Sequence, residues 1–275
     1  MKRWSVDCKA TVKIGDFSRG GQTRGDAQAL DHDLGCKEKY TPCGIVDEDS
    51  AQLAMVFGSS YKTSDFLVDT LEAKWNRLEE QEKAAVSKLQ IKMDNGPESS
   101  GRRTQFLYRM VEFADAISKP IQLLYYPPYH SKYNPIERCW GILEQHWNGT
   151  KLIDAKTMLE WAKSMTWKGL HPVVELSHHV YQKGVRLSKK AMAAVEARLE
   201  RDPKLPQYDI LIQPASTAKE VKTFQEIALD THLLAYLRLR EALGFQMRAE
   251  KILLPEFVAY VSTRQDPHPI RAQHA

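Results

Sequence analysis

The sequence predicts a mixed α/β fold, with one sheet of antiparallel and parallel strands and helices on its faces. Near the N-terminus, apolar residues alternate with polar ones, as is typical of half-buried strands. Further along, helical patterns alternate with short apolar runs, which is typical of parallel strands joined by crossover helices. The chain has 275 residues, 43% of them hydrophobic, which is enough for one full domain plus a smaller one and excludes global disorder.

Charge, cysteine spacing and hydropathy narrow the class of protein. A net charge of +4 permits a nucleic-acid partner without requiring one. Cys8, Cys36, Cys43 and Cys139 form no CxxC pair and fit no zinc module, so we expect reduced thiols. The N-terminus lacks the apolar region of a signal peptide, and no stretch approaches the roughly 18 apolar residues of a membrane span. We therefore expect a cytoplasmic protein without a membrane partner.

The first part of the chain predicts strands. Residues 3–17 predict two of them, because apolar residues such as Trp4 and Val6 alternate with polar neighbours. Residues 18–39 are polar and glycine-rich and predict a long loop. Residues 43–57 predict a third strand region with a turn inside it.

Helices and strands then alternate. A helix is expected to begin at Ser64, a typical N-cap, and to run toward Leu89. Residues 89–93 predict a short strand, and the nearly continuous apolar run at 121–126 predicts a buried one. The helix between these two strands is expected to begin near Ser100.

A third helix is predicted to begin near Pro135, because proline suits the first helical position. Residues 151–200 are predicted to be mainly helical, and residues 207–213 a final strand. The third helix carries an apolar stripe made of Ile136, Trp140, Leu143 and Trp147.

Three acidic residues stand where these elements begin or end: Asp7, Asp94 and Glu137. Taken singly, Asp94 is typical of a turn and Glu137 of a helix-dipole partner. Asp7 is different, because a charged residue inside an apolar strand needs a partner or an ion. Two Asp and one Glu together suit a pocket for two Mg²⁺ ions, since Mg²⁺ prefers oxygen ligands and paired ions catalyse phosphoryl transfer. Glu98 is an alternative ligand.

Basic side chains near the acids are candidate DNA contacts, because they can hold phosphate groups. Lys9 and Lys13 follow Asp7 at period two, and the loop before Glu137 is expected to border the site. Solvated helix faces explain most of the other basic residues. The candidate DNA-binding residues are Lys9, Lys13, Arg102, Arg103, His130 and Lys132.

The sequence around the acids resembles a known family. Residues 94–98 (Asp-Asn-Gly-Pro-Glu) and 127–137 (Pro-Pro-Tyr-His-Ser-Lys-Tyr-Asn-Pro-Ile-Glu) resemble the second and third acidic motifs of DDE transposases. Residues 6–15 (Val-Asp-Cys-Lys-Ala-Thr-Val-Lys-Ile-Gly) resemble the first motif of one bacterial branch, the ISAzo-type or Rhodopirellula-type enzymes. The resemblance covers roughly residues 3–213. Further segments similar to that branch are 63–66, 101–106 and 183–187.

The resemblance implies an RNase H-like fold, with a mixed five-stranded sheet flanked by helices and a small C-terminal helical segment added. It implies DNA cleavage and strand transfer, in which water and then a 3′-hydroxyl attack phosphodiester bonds at element ends and at a target. Asp7, Asp94 and Glu137 would be the catalytic, metal-binding triad for two Mg²⁺ ions, with Mn²⁺ as a substitute. A homodimer or larger assembly on DNA, in the bacterial nucleoid, is also implied.

Two features depart from the family pattern. Relatives usually carry a helix-turn-helix region before the catalytic domain, so we expect an N-terminally truncated copy without end recognition. Residues 233–260 resemble the start of the core-binding domain of tyrosine recombinases. We expect a DDE core at 1–170, a helical extension with a final strand at 171–213, and an appended helical segment at 214–275. The alternatives are an inactive DNA-binding remnant and a nuclease that hydrolyses without strand transfer.

Overall fold

The computed structural model of the chain describes most of its first 215 residues. The chain divides into two units, Met1–Ala215 and Ser216–Ala275, and the account below concerns the first. The helices predicted after residue 214, and their resemblance to a recombinase domain, lie outside the described residues. The described residues are 1–17, 23–25, 29, 36 and 38–215, with isolated positions at 233, 237 and 254–255.

A mixed sheet forms the centre of the first unit. Its strands in the described residues are β1 (Lys2–Cys8), β2 (Val12–Lys13), β3 (Lys39–Asp47), β4 (Leu53–Gly58), β5 (Leu89–Asp94), β6 (Ile121–Tyr126), β7 (Val173–Ser177), β8 (Leu199–Arg201) and β9 (Asp209–Ile212). They lie in the order β7-β4-β3-β1-β5-β6-β9-β8, and β2 pairs with β3. The central strand β1 is antiparallel to β3 and parallel to β5, which is parallel to β6. The predicted RNase H-like sheet is confirmed.

Helices cover both faces of the sheet. The helices in the part of the chain that the structure describes are α1 (Ser64–Asn76), α2 (Glu80–Ala85), α3 (Thr104–Ile117), α4 (Pro135–Trp147), α5 (Ala155–Ser164) and α6 (Lys189–Glu196), and a 3-10 turn occupies Ser131–Tyr133. On one face, α1 and α3 bury the alternate apolar residues of β1, β5 and β6. On the other face, α4 and α5 pack on β3 and β4, and all four residues of the predicted α4 stripe are buried.

The first helix begins at Ser64, but its capping residue and its C-terminal end differ from the prediction. Its N-cap is Thr63, whose hydroxyl accepts a hydrogen bond from the backbone N–H of Phe66. The helix stops at Asn76, because Glu79 has an extended backbone and Leu78 packs against the core. The residues up to Ala85 form the separate helix α2.

The sheet is also larger than the predicted five strands. Residues 151–200 are predicted to be mainly helical, yet β7 lies within them and β8 begins at Leu199. Both strands are short, so neither carries enough alternating residues to reveal itself. Pairing with β4 and with β9 stabilises them instead. None of the helices in the described ranges is long and apolar enough to cross a membrane.

Candidate metal centre

Three carboxylates come together at one edge of the sheet. One oxygen each from Asp7, Asp94 and Glu137 lies within 4.8 Å of the others, and all three residues are partly buried. Asp7 is near the end of β1 and Asp94 ends β5; because these strands are parallel neighbours, their carboxyl ends meet at one edge. Helix α4 supplies Glu137 from its first turn. No other group of three potential metal ligands forms among the described residues.

A buried polar cluster joins the start of α4 to β1. The hydroxyl of Ser5 donates to Oδ1 of Asn134 and accepts from the backbone N–H of Ile136, at 3.2 Å. The Asn134 side-chain amide donates to the backbone carbonyl of Val6, also at 3.2 Å. Ser5 and Asn134 are both fully buried. These bonds hold Glu137, at the third helical position, beside β1.

Helix α4 also contacts Asp7 directly. The indole N–H of Trp140 donates to Oδ2 of Asp7 at 3.0 Å. Gly44 is the cross-strand partner of Asp7 on β3, and a Cβ added there would lie 2.7 Å from the Trp140 ring and from Ile136. The absence of a side chain at Gly44 therefore makes room for the indole that holds Asp7.

Asp94 is held through its backbone and leaves a carboxylate oxygen without a partner. Its carbonyl accepts from the N–H of Gly96 and from the hydroxyl of Ser99, each at 2.9 Å. Oδ1 of Asp94 is buried, and no described residue donates a hydrogen bond to it. A buried, unpaired carboxylate oxygen is costly unless a cation or a donor reaches it.

The pKa values of Asp94 and Glu137 are both raised. Burial raises the pKa of Asp94, and the charge of Asp7 adds to the rise. Burial, then Asp7 and Asp94, raise the pKa of Glu137, while Lys9 opposes the rise. A divalent cation would relieve this repulsion. Carboxylate oxygens are the ligands that Mg²⁺ and Mn²⁺ prefer, so the residues fit such an ion.

Lysine 62 lies beside the acids, and sequence reasoning did not single it out. It lines the cavity that also contains Asp7, Asp94 and Glu98. Burial alone would lower the pKa of Lys62, but Cys8, Glu98 and Asp7 together raise it. Glu98, the alternative ligand, lies 3.4 Å from the Lys62 ammonium and is not a member of the three-carboxylate group.

The first two candidate DNA-binding lysines both lie near α4. Lys9 forms an ion pair with Glu144 at 2.8 Å, with both side chains largely buried. Lys13 lies on β2 opposite Lys39 and lines a separate cavity together with Glu144. Lys9 therefore lowers the pKa of Glu137 from inside the protein. Lys13 lies farther along the chain, on β2.

The remaining four candidates lie on two exposed segments next to the acids. Arg102 and Arg103 are exposed in the segment between Asp94 and α3. His130 and Lys132 lie in the segment between β6 and α4, where the His130 ring stacks on Tyr133 with 5.8 Å between centroids. The Lys132 ammonium lies 5.3 Å from the same Tyr133 ring.

The local sequence carried only part of the signal for the supporting residues. Trp140 was predicted as a core residue of the α4 stripe, which it is, but its N–H bond to Asp7 depends on a different strand. Asn134 stands in the quoted Asn-Pro-Ile-Glu segment without a predicted role. Ser5 and Gly44 carry no signal of their own, because their contacts arise only when β1, β3 and α4 pack together.

The chain matches a known family of transposase domains. The family model of the Rhodopirellula transposase DDE domain matches residues 1–214. A chain from the cryoEM structure of the simian T-cell lymphotropic virus intasome with PP2A regulatory subunit B56 gamma is 15% identical, with a TM-score of 0.38, over 62% of this chain and 51% of that chain. This chain thus matches about half the length of that one.

A second solved structure is similar over the same share of the chain. It is the HTLV-2 integrase catalytic core domain in complex with magnesium in its dimeric form. It is 16% identical, with a TM-score of 0.33, over 62% of this chain and 91% of that chain. No curated protein matches the chain.

Proposed function

Because the chain belongs to the Rhodopirellula transposase DDE-domain family, we propose that it cleaves and joins DNA strands using divalent metal ions held by Asp7, Asp94 and Glu137. The observation that carries the proposal is the meeting of three carboxylates within 4.8 Å, with one buried oxygen of Asp94 left without a partner. In a structural ion-pair network each carboxylate pairs with a cationic side chain. Asp94 forms no ion pair with any described residue.

The residues of the chain have separate roles in this proposal. Asp7 would be shared by two ions, because it lies on the central strand β1, next to the strand of Asp94, and its Oδ2 is already oriented by Trp140. Asp94 and Glu137 would each hold one ion. When bound, a pair of divalent ions stabilises both the attacking and the leaving oxygen of an in-line displacement.

The reaction proposed is a pair of phosphoryl transfers. In the first, water attacks a phosphodiester, the bond from phosphorus to the 3′ oxygen breaks, and a 3′-hydroxyl is released. In the second, that hydroxyl attacks a phosphodiester of a second DNA segment, the bond from that phosphorus to its 3′ oxygen breaks, and the 3′-hydroxyl of the second segment leaves. Burial first, and then the charge of the neighbouring carboxylates, raise the pKa values of Asp94 and Glu137, a cost that a bound cation would offset.

DNA is the partner that this chemistry requires, and we propose that two or more copies of the chain act together on it. Arg102, Arg103, His130 and Lys132 are proposed contacts to the strand near the acids. We propose that the first unit consists of a core at 1–170 and an extension at 171–213. The extension adds β7, β8 and β9 to the edges of the sheet.

A plasmid assay tests the proposal. We expect the protein to nick supercoiled DNA in Mn²⁺ and Asp94→Asn to lose this activity. Asp16→Asn is the matched control, because the Asp16 side chain is 74% exposed and belongs to no metal-ligand group. Transfer of a labelled 3′-hydroxyl strand into the plasmid separates a transposase from a simple nuclease. Equal nicking by wild type and Asp94→Asn would refute the triad; no nicking at all, without any effect of Mn²⁺ on the melting temperature, would favour the inactive remnant.

A further inference from the structure

A second cavity adjoins the candidate metal centre. It has a volume of about 320 Å³ and lies between the start of α1, the segment before α3 and the 182–185 segment. Lys62 and Glu98 line both this cavity and the one that contains Asp7 and Asp94. The two cavities therefore share a wall, and an extended chain molecule could occupy both at once.

The walls of this cavity carry three cations. They are Lys62, Arg103 and Lys183, one from each of the three segments. No ion pair joins Arg103 or Lys183 to another described residue. The Lys183 ammonium instead lies 3.9 Å from the centroid of the Tyr61 ring, a cation–π contact that holds it at the rim.

The two acids of the cavity, Asp65 and Glu98, offset only part of this charge. Asp65 accepts from the Gln105 amide at 2.9 Å and pairs at 3.0 Å with the Arg109 guanidinium, which it shares with three other acids. Glu98 pairs with Lys62 at 3.4 Å. Three cations against two acids leave the lining with a net charge of +1.

We propose that this cavity, which we call the phosphate cleft (Lys62, Arg103 and Lys183), holds backbone phosphates of the DNA strand next to the phosphodiester at the three carboxylates. The inference rests on the proposed function and adds the path of the strand. Arg103 presents a planar fork suited to a phosphate, and the two lysines add point charges on either side. Phosphate contacts of this kind fix the register of a strand without reading its sequence.

The strand would run from the acids past Lys62 and toward Lys183. Lys62 is the cation common to both cavities, so it would contact the phosphate nearest the reacting one. Its ammonium would exchange the ion pair with Glu98 for a phosphate oxygen. The sequence predicted Arg103 as a DNA contact but not Lys62 or Lys183. In the phosphate cleft all three would bind phosphates of the same DNA strand.

Salt dependence of DNA binding tests the cleft without any catalysis. We would measure binding of a fluorescein-labelled duplex, and of its single strand, by anisotropy in EDTA for Lys62→Gln, Arg103→Gln, Lys183→Gln and the triple variant. Each lost phosphate contact lowers the slope of log K against log salt by about 0.7 to 0.9. We expect that decrease for each single variant and a decrease of about 2.1 to 2.7 for the triple one. Lys163→Gln is the control, since Lys163 is exposed on α5 at the opposite face of the sheet.

The assay keeps this inference separate from the proposed function. Because it uses no metal, it is repeated in the Asp94→Asn protein, where loss of nicking cannot affect it. Slopes equal to wild type in all three variants, with unchanged circular dichroism, would overturn the phosphate cleft even if nicking is intact. Unchanged slopes with a melting temperature raised by inorganic phosphate only when the three cations are present would identify a small-anion site and also overturn it. A lowered slope in a protein that never nicks would support the cleft while refuting the catalytic proposal.

Discussion

The indole nitrogen of Trp140 lies 3.0 Å from Oδ2 of Asp7, so the helix that carries Glu137 also holds the acid on β1. Glu137 and Trp140 are three positions apart, which places them on adjacent turns of one side of α4. Any shift of α4 against the sheet would move both residues at once. The separation of two of the three carboxylates is therefore set by the packing of one helix.

Removing the Trp140 N–H tests this relationship. Trp140→Phe keeps an aromatic ring over Gly44 and deletes the bond to Asp7. Hydrogen bonds to charged groups contribute about 1.5 to 3 kcal/mol, so we expect metal-dependent nicking to fall about 10- to 100-fold. The same variant should need more Mn²⁺ to reach half of its maximal thermal stabilisation, a readout that does not depend on activity.

The control for Trp140→Phe lies two turns along the same helix. Trp147 is buried in the same core as Trp140, between α4 and the sheet. Among the described residues, no hydrogen bond joins its side chain to the three acids. Trp147→Phe should lower stability by a similar amount and leave the Mn²⁺ dependence unchanged. Equal Mn²⁺ curves for both variants would show that the Trp140 bond does not orient Asp7.

A side chain at Gly44 should push the indole away. The added methyl of Gly44→Ala would lie 2.7 Å from Trp140 and Ile136, and overpacking of this kind costs about 1 to 3 kcal/mol. Gly141→Ala is the matched control: its Cβ meets nothing within 4 Å, and alanine favours a helix by about 1 kcal/mol. Urea unfolding should thus rank Gly141→Ala above wild type and Gly44→Ala below it; the reverse order would refute the close approach.

The Ser5 hydroxyl should matter more for stability than an exposed one. Ser5→Ala leaves the Asn134 carbonyl oxygen and the Ile136 N–H without their partner, and both are buried. Leaving buried groups unsatisfied costs about 1 to 3 kcal/mol each. We expect a loss of that order in the free energy of unfolding, compared with almost none for Ser87→Ala at an exposed position. Equal urea midpoints for the two variants would contradict the role of the buried cluster.

Without metal, Asp94→Asn should stabilise the protein at neutral pH. The pKa of Asp94 is raised in the folded state, so the native protein binds this proton more tightly than the unfolded chain. Stability is therefore lost as pH rises from the ordinary carboxyl value through the raised one. A gain of ~1 kcal/mol would raise the melting temperature by about 2 to 4 °C at pH 7 in EDTA. The gain should vanish below the ordinary value of 3.8, and a variant less stable than wild type throughout would contradict the repulsion.

Metal binding should have the opposite pH dependence. Bound ions require ionised carboxylates, and the pKa values of both Asp94 and Glu137 are raised. The rise in melting temperature that Mn²⁺ produces should therefore shrink as pH falls toward these values, at a pH above the ordinary carboxyl range. A Mn²⁺ effect that is constant down to pH 4 would place the ion elsewhere, and Asp16→Asn should follow the wild-type curve throughout.

Much of the fold near the site could be predicted from local pattern. The apolar run at Ile121–Tyr126 is a strand with the predicted bounds, and the α4 stripe from Ile136 to Trp147 is buried as expected. These predictions succeeded because long, regular burial leaves a clear period in the sequence. The end of α1 and the edge strands β7 and β8 differ from the prediction. A strand of three to five residues has too few positions to show a period of burial.

The sequence by itself determined which acids stand at element ends, and the sequence motifs around Asp7, Asp94 and Glu137 identified the family. Only the tertiary structure decided that the three carboxylates meet, that Glu98 faces Lys62 instead, and that Gly44 makes room for Trp140. The physical reason is the separation along the chain of the residues that interact. Capping, periodicity and turn chemistry act over a few residues and leave marks in the sequence. The bonds from Ser5 to Asn134 and from Trp140 to Asp7 join residues more than a hundred positions apart, and they exist only once the sheet has ordered its strands and α4 has packed on them.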